Sequence, residues 1–348
     1  MPVTRERGVE PALVLLGPTA SGKTALALAV APALGAEIVS VDSRQVYRGM
    51  DIGTAKPSPE ERARVPHHLL DIIDPGEPYS AGRFRDDALA ACRDIRARGL
   101  HPILAGGTGL YFDALLRGLA PVPPRDDAVR AEIERRADRE GTEALHAALL
   151  AADPPSAARI HPHDRVRLVR ALEILALGGP PSAFRTWGGA ASGVAGGEAS
   201  AESGVAGGAD AAAGGCGAAD TVMIGLAWDR ARLYERIEAR LAAMVRAGFV
   251  AEVARLGDAG YGARSPGFRT PGYREILAHL EGRLALPEAL AATARATRRL
   301  ARRQIQWFRP RTGIVWLDGS LPVDELAADV LARWRSALDG GCRSSGTA

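Results

Sequence analysis

A chain of 348 residues, 47% of them hydrophobic and 24% charged, can bury a sizeable core and has the length of about two domains. Its formal net charge of +3 is too small to point to nucleic acid, and no apolar run reaches the roughly 20 residues that cross a bilayer. Met1 to Pro11 lacks the apolar stretch of a secretion signal, and Cys92, Cys216 and Cys342 show no metal-ligand or redox spacing, so the expected compartment is a reducing cytoplasm.

Ala12 to Leu16 is a short apolar run closed by Gly17-Pro18, which reads as a buried strand, and Thr24 to Leu34 reads as a helix stopped at Gly35. Further strands are expected at Glu37 to Val41, His67 to Ile72 and Pro102 to Ala105. Strands alternating with helices imply a parallel sheet covered on both faces. From about Pro121 the pattern becomes purely helical. Asp126 caps a helix to about Glu140, where Gly141 stops it, Thr142 starts another to Ala152, and Asp164 caps a third to Leu177. Gly188 to Ala219 is nearly all Gly, Ala and Ser, and reads as a flexible, functionally silent insert. A strand resumes at Thr221 to Ala227, helices follow at Arg230 to Ala247 and Glu288 to about Trp307, and Ile314 to Leu317 is the last expected strand.

Between the first strand and its helix stands Gly17-Pro18-Thr19-Ala20-Ser21-Gly22-Lys23-Thr24, the spacing of a P-loop in the strand–loop–helix context that such a loop requires. Its backbone N–H groups and the helix N-terminus face phosphates, Lys23 adds positive charge, and Thr24 can ligate Mg2+. Taken alone, a P-loop marks ATP binding or another nucleotide-binding role, and it says nothing of what happens to the phosphates. Asp42 follows the second strand and belongs at its carboxyl end, where ligands of α/β sheets bind; a turn or cap carboxylate is the plainer alternative. Asp51 to Pro57 reads on its own as a solvated loop. His161 and His163 flank a proline beside a helix cap and suit a structural loop better than a metal pair.

The expected fold is thus α/β, a P-loop-type parallel sheet flanked by helices with an all-helical insertion domain. Residues 1–120 form the first part of the P-loop catalytic domain and 121–187 the helical insertion. Residues 188–220 are the Gly/Ala-rich insert, 221–320 the second catalytic part, and 321–348 a C-terminal helix and tail.

From Ala289 to Leu317 there is no Asp or Glu, while Arg295, Arg298, Arg299, Arg302, Arg303, Arg309 and Arg311 all fall inside. The first five recur at helical spacing and so share one face. Trp307, Phe308 and Arg309 follow. A basic stripe ending in aromatics suits the backbone and unstacked bases of a single-stranded RNA loop, and a solvated helix face would carry balancing acids.

In order along the chain, "GPTASGKT", "DSRQVYRGMDIGTAKP", "GGTGLYF", "ARIHPHD" and "RRQIQWFR" closely resemble the tRNA dimethylallyltransferase family over Ala12 to Leu177 and Thr221 to Leu317. The resemblance implies transfer of the dimethylallyl group of dimethylallyl diphosphate to the exocyclic amine of the adenosine 3′ of the anticodon. The P-loop, from Gly17 through Pro18, Thr19, Ala20, Ser21, Gly22 and Lys23 to Thr24, would hold the donor's diphosphate. Asp42 would be the general base, with Thr24 and Arg236 also catalytic and Mg2+, on Thr24, the cofactor. Arg240 lies one turn from Arg236. The implied tRNA contacts are Asp42, Ser43, Arg44, Gln45, Thr108, Arg130, Arg167, Arg170, Arg269, Tyr273, Arg274, Arg302, Arg303, Gln304, Trp307 and Arg309. The segment Gly267 to Glu275 departs from the family's pattern by placing Pro271 before Gly272. The implied partners are the tRNA anticodon stem-loop and dimethylallyl diphosphate, with no membrane, and nothing demands more than a monomer. The rival readings are an adenylate isopentenyltransferase acting on free nucleotide, a P-loop nucleotide kinase, and a non-catalytic RNA-binding protein.

Overall fold

The computed structural model describes residues 12–184 and 221–343; the Gly188 to Ala219 insert lies outside the described residues. Strands β1 (Ala12–Leu16), β2 (Ala36–Val41), β3 (His67–His68) and β4 (His101–Gly106) alternate with helices α1 (Lys23–Leu34), α2 (Pro59–Arg64) and α3 (Ala81–Ala97). Helices α4 (Gly109–Arg117), α5 (Asp127–Ala152), α6 (Pro154–Ala157) and α7 (Arg165–Gly178) follow. The chain resumes with β5 (Thr221–Ala227), α8 (Arg230–Arg246), α9 (Phe249–Asp258), α10 (Tyr273–Leu280), α11 (Leu286–Phe308), β6 (Ile314–Asp318) and α12 (Val323–Arg343). It divides into two compact units, one of Met1–Glu77, Ala88–Gly109 and Cys216–Ala348, the other of Pro78–Asp87 and Leu110–Gly215. Segment 78–87 therefore groups with the helical unit rather than with the sheet.

The first unit holds one parallel sheet in the order β3-β2-β4-β1-β5-β6. Its central strand, β1, is an unbroken apolar run because both of its faces are covered. Leu13, Leu15, Ile103 and Ile224 pack with Leu26, Ala27 and Val30 of α1 and with Val330 and Trp334 of α12. The third strand is shorter than the expected His67 to Ile72. Leu69 and Asp71 take positive φ (64° and 58°), which ends a regular strand, and Asp71 and Ile72 donate instead to the carbonyls of Gln45 and Val46.

The Asp51 to Pro57 loop is far from solvated. The Lys56 ammonium is almost wholly buried, donating to the Tyr47 carbonyl (2.6 Å) and to Asp51 (2.7 Å) and pairing with Asp71. From α9, the buried Glu252 carboxylate accepts the N–H groups of Asp51 (2.9 Å), Ile52 (2.8 Å) and Gly53 (3.1 Å) and the Tyr273 hydroxyl (2.6 Å). Gly53 is obligatory there, since a Cβ would lie 2.2 Å from the Phe249 ring and 2.5 Å from that of Tyr273. The carboxylate thus folds this loop around itself.

The second unit has its own core of Ala137, Leu145, Leu149, Leu168, Val169 and Leu172. Asp126 and Asp164 cap α5 and α7, accepting from Val129 N–H (2.9 Å) and Arg167 N–H (3.2 Å). Gly141 leaves the helical conformation (φ 83°, ψ 167°) and kinks α5 there, so the expected stop at Gly141 and restart at Thr142 appear as two helical stretches that meet at a break.

Replacing Glu252 with Ala strands three backbone donors and a buried phenol. We expect a loss of about 3 kcal/mol or more in denaturant unfolding, with Glu252→Gln costing less because one acceptor oxygen remains. An unchanged unfolding midpoint for Glu252→Ala would show that the loop holds itself.

Candidate active site

Sheet register brings the motifs together. Leu16 pairs with Gly106 and Gly106 with Val41, so the residues that follow, Gly17, Gly107 and Asp42, emerge side by side at the carboxyl end of the sheet. A Cβ on Gly106 would stand 2.0 Å from the Val41 carbonyl oxygen, so only glycine allows this approach. Thr108 ties the two turns together, accepting the Ser43 N–H at 3.1 Å while its own N–H donates to the Val41 carbonyl.

The P-loop closes tightly, with Ala20 and Gly22 at φ 65° and 98° and the Ser21 N–H donating to the Pro18 carbonyl. At the start of α1 Gly22 offers no side-chain cap and no acid occupies the first turn, so the positive end of the helix is open to an anion. Lys23 folds back over the loop, donating to the Pro18 carbonyl (2.7 Å) and the Ser21 hydroxyl (3.3 Å). Trp228 fixes the loop from behind, its indole N–H donating to the Ser21 carbonyl at 3.0 Å.

Two arginines of α8 reach the loop. Arg240 donates to the Thr19 hydroxyl at 2.8 Å. Arg236 is exposed, donates to the Ala20 carbonyl at 2.8 Å and stacks its guanidinium 4.3 Å above the Trp228 ring. Asp229 caps this helix, accepting from Ala231 (2.9 Å) and Arg232 (3.1 Å). Desolvation pulls the Lys23 ammonium down to about 7, a shift that the Asp42 carboxylate opposes and the Arg240 charge assists. Burial likewise lowers Arg240, again against Asp42 and with Arg236 adding to it. The Lys23 amine and the guanidiniums of Arg240 and Arg236 therefore gather around one carboxylate in a partly dried site. Such a site is short of negative charge, and a di- or triphosphate supplies it. Asp42 accepts the Arg44 N–H on Oδ1 at 2.8 Å, and its Oδ2 has no protein donor among the described residues.

The residues expected to touch RNA fall into two groups. On α11, Arg295, Arg299 and Arg302 form an exposed row extended by Arg309 just past the helix, whereas Arg303 is half-buried and engaged by the protein. Arg298 turns aside to pair with Glu238 and to lie 5.1 Å from the Tyr234 ring, which narrows the expected five-arginine face to three. Arg269 and Arg274 are exposed, and Arg44 and Arg167 are half-buried.

The protein itself engages Gln45, Tyr273, Arg170, Trp307 and Gln304. Gln45 accepts from the Ser40 hydroxyl and donates to the carbonyls of Thr54 and Ala55. Tyr273 is fully buried against Phe249 and Phe268 with its hydroxyl on Glu252, so its side chain is a core element and not an RNA contact. Arg170 is likewise a buried structural residue: it donates to the Pro123 carbonyl (2.7 Å) and pairs with the fully buried Glu173 (3.1 Å), which Arg130 also approaches at 3.5 Å. Trp307 packs so closely on Gly109 that a Cβ there would lie 2.1 Å from its ring, and the Arg311 guanidinium stands 5.2 Å from its centroid. That indole is a wedge rather than a free stacking platform. Gln304 turns inward to the P-loop, accepting the Thr19 N–H at 2.7 Å and donating to the Gly107 carbonyl at 3.0 Å. Pro271 fits because Gly272 takes φ 101° after it and the Glu275 carboxylate accepts the Gly272 N–H at 2.8 Å. Trp228 was not among the expected site residues; an indole just ahead of the Asp229 cap was the available signal.

A parallel α/β sheet with a phosphate loop, cations short of counter-charge and a carboxylate across from them defines a P-loop enzyme that handles a phosphorylated substrate. The chain belongs to the IPP transferase family, whose model matches residues 45–311. A second model, described as isopentenyl transferase, matches residues 11–71. The chain is 47% identical to the tRNA dimethylallyltransferase of Methylococcus capsulatus, over 93% of this chain and 97% of that one. It is 44% identical to the tRNA dimethylallyltransferase of Geobacter metallireducens, over 92% and 96%. The crystal structure of the full-length tRNA isopentenylpyrophosphate transferase from Bacillus halodurans superposes with a TM-score of 0.68 at 35% identity, covering 97% of this chain and all of that one. A eukaryotic dimethylallyltransferase acting on tRNA shares the fold, with a TM-score of 0.69 at 24% identity over 89% of this chain and 74% of that one.

With its pKa drawn down to about 7, the Lys23 amine is mostly neutral at pH 8, and a diphosphate placed beside it would restore its proton. Binding of an inert alkyl diphosphate should therefore take up protons at pH 8 and not at pH 6. Calorimetry in buffers of different ionisation enthalpy reads this directly. Lys23→Met should abolish the uptake; equal uptake in the variant would place the proton elsewhere.

Proposed function

We propose that the protein transfers the dimethylallyl group of dimethylallyl diphosphate to the exocyclic amine of the adenosine 3′ of the anticodon in tRNA and releases diphosphate. The observation that carries this reading is the meeting of the desolvated Lys23 and Arg240 with the Asp42 carboxylate at the mouth of the P-loop, in a chain of the IPP transferase family. The amine nitrogen forms a bond to the allylic carbon as the carbon–oxygen bond to diphosphate breaks. An adenine amine is a weak nucleophile, and Asp42, with Oδ2 open, takes its proton as that bond forms. Charge builds on the leaving diphosphate, where Lys23, Arg240, Arg236 and the N-terminus of α1 are already in place to receive it.

The residues fit Mg2+. Among the described residues no group of three or more His, Cys, Asp or Glu could hold a metal alone. Mg2+ commonly uses one or two protein oxygens together with substrate phosphates, and the Thr24 hydroxyl and Asp42 carboxylate are oxygen donors flanking the loop. When bound, the ion would add charge stabilisation on the diphosphate.

The acceptor reading rests on the arginine row of α11, with Arg269 and Arg274 as further exposed cations. Unstacking an adenine from a loop costs less than flipping one out of a duplex. Free AMP would have no use for such a row, and the relatives named above are tRNA enzymes. No described helix is long and apolar enough to cross a membrane. We take the working form to be a cytoplasmic monomer bound to the anticodon stem-loop.

Asp42→Ala should lower single-turnover transfer by at least 10²-fold, the usual worth of a general base, while leaving RNA affinity within about twofold. A loss of RNA binding instead would give Asp42 a different role. Replacing Arg295, Arg299 and Arg302 with Ala should weaken stem-loop binding and flatten its salt dependence by a slope of about 2, near 0.7 per lost phosphate contact. An unaltered slope would move the RNA to another face.

A further inference from the structure

Gln304 was expected to touch RNA, yet its carboxamide is spent inside the protein. Its Oε1 accepts the Thr19 N–H at 2.7 Å and its Nε2 donates to the Gly107 carbonyl at 3.0 Å. Both partners fix the orientation of the amide, because exchanging its O and N would set donor against donor and acceptor against acceptor. The approach depends on Gly107, where a Cβ would lie 2.3 Å from Nε2. Thr19 is thus gripped twice, at its backbone by α11 through Gln304 and at its hydroxyl by α8 through Arg240.

The other side of α11 does something else. Gln304 follows Arg302 by two residues, about 200° around the helix, so the exposed arginine row and the carboxamide point in opposite directions. One rigid element therefore presents cations to solvent on one face and holds the phosphate loop on the other.

We propose that Gln304 is a positioning residue that couples RNA on the arginine face of α11 to the alkyl diphosphate in the P-loop, so that each strengthens binding of the other. The inference rests on the proposed function. RNA seated on the arginines restrains α11, and a restrained α11 holds Thr19 in the pose that accepts the diphosphate. The donor then meets a loop already ordered. Linkage makes the effect reciprocal, and couplings of this kind are typically 5- to 150-fold.

The test uses the full chain, an inert alkyl diphosphate with Mg2+, and an anticodon stem-loop RNA. Each ligand's dissociation constant is measured alone and with the other saturating. In the wild type, RNA should tighten diphosphate binding about fivefold or more. Gln304→Leu should bring that ratio to about one, leave RNA binding alone within about twofold, and raise the donor KM in transfer far more than it lowers kcat. Gly107→Ala displaces the same carboxamide from the opposite side and should lose the coupling as well, which guards against a folding defect peculiar to one variant. A wild-type ratio near one, a ratio preserved in both variants, or a Gln304→Leu chain that binds RNA alone much more weakly would each overturn the proposal. The last outcome would make Gln304 a direct RNA contact. If the wild-type chain binds the diphosphate but not the RNA, the functional reading fails, and this proposal with it.

Discussion

Lys23 and Arg240 are held where water is scarce, and a single carboxylate, Asp42, is set against them. Most of the catalytic unit can be read as the means of keeping that imbalance. Positive charge stripped of solvent is costly unless something negative is set beside it, so the loop is poised for an anion. The N-terminus of α1 adds to the pull because Gly22 leaves it uncapped. Parallel strands β2, β4 and β1 deliver the carboxylate and the loop to the same edge by register alone, and Gly106 allows the strands to end that close. In the proposed reaction a diphosphate would leave because the same cations that hold it in the ground state meet greater charge as its bond to carbon breaks.

A second, electrically opposite device sits behind the site. Glu252 is a buried anion neutralised by three backbone N–H groups and a phenol rather than by a cation, whereas Lys56 is a buried cation satisfied by a carbonyl and two carboxylates. Together they hold Asp51 to Lys56 in shape, and Gln45 joins that shape to the segment carrying Asp42 through the carbonyls of Thr54 and Ala55. The loop has little apolar content of its own to fold on. Its conformation is set by polar groups that would be expensive to leave unpaired.

Legibility from sequence followed the kind of force involved. Apolar runs such as Ala12 to Leu16 and Thr221 to Ala227 announced buried strands, and the aspartate caps at 126 and 164 announced helix starts, because burial and capping are local signals. His67 to Ile72 misled for the opposite reason. Its β-like composition is genuine, but the positive φ of Leu69 and Asp71 answers to the Gln45–Val46 carbonyls, which no local pattern reveals. Helices α9 and α10 went unassigned; they are only 10 and 8 residues long, too short for periodicity to stand out. Within the site, the P-loop and Asp42 were legible because their chemistry depends on residue type at fixed spacing. Arg240 was visible only as a neighbour of Arg236, since nothing local says which of two arginines one turn apart is the buried one.

The RNA side shows a different limit. Gln45, Tyr273, Arg170 and Trp307 belong to motifs that mark the family, yet in this chain each is engaged by the protein: Gln45 by loop carbonyls, Tyr273 by Glu252, Arg170 by Glu173 and Pro123, Trp307 by Gly109. A motif residue can be indispensable to a binding surface without meeting the ligand, because the surface must first be shaped. On the proposed reading, the surface offered to RNA is the exposed arginine row of α11, Arg295, Arg299 and Arg302. Their helix is fastened beneath by Leu233, Ile237 and Ala301, which bury the α8–α11 contact, so the helix carrying Arg236 and Arg240 and the helix carrying the arginine row share one apolar seam. On the proposed reading, any RNA that shifts α11 must also work against Arg236 and Arg240, and this mechanical sharing, more than any single contact, would let one fold handle a small anionic donor and a large anionic acceptor at once.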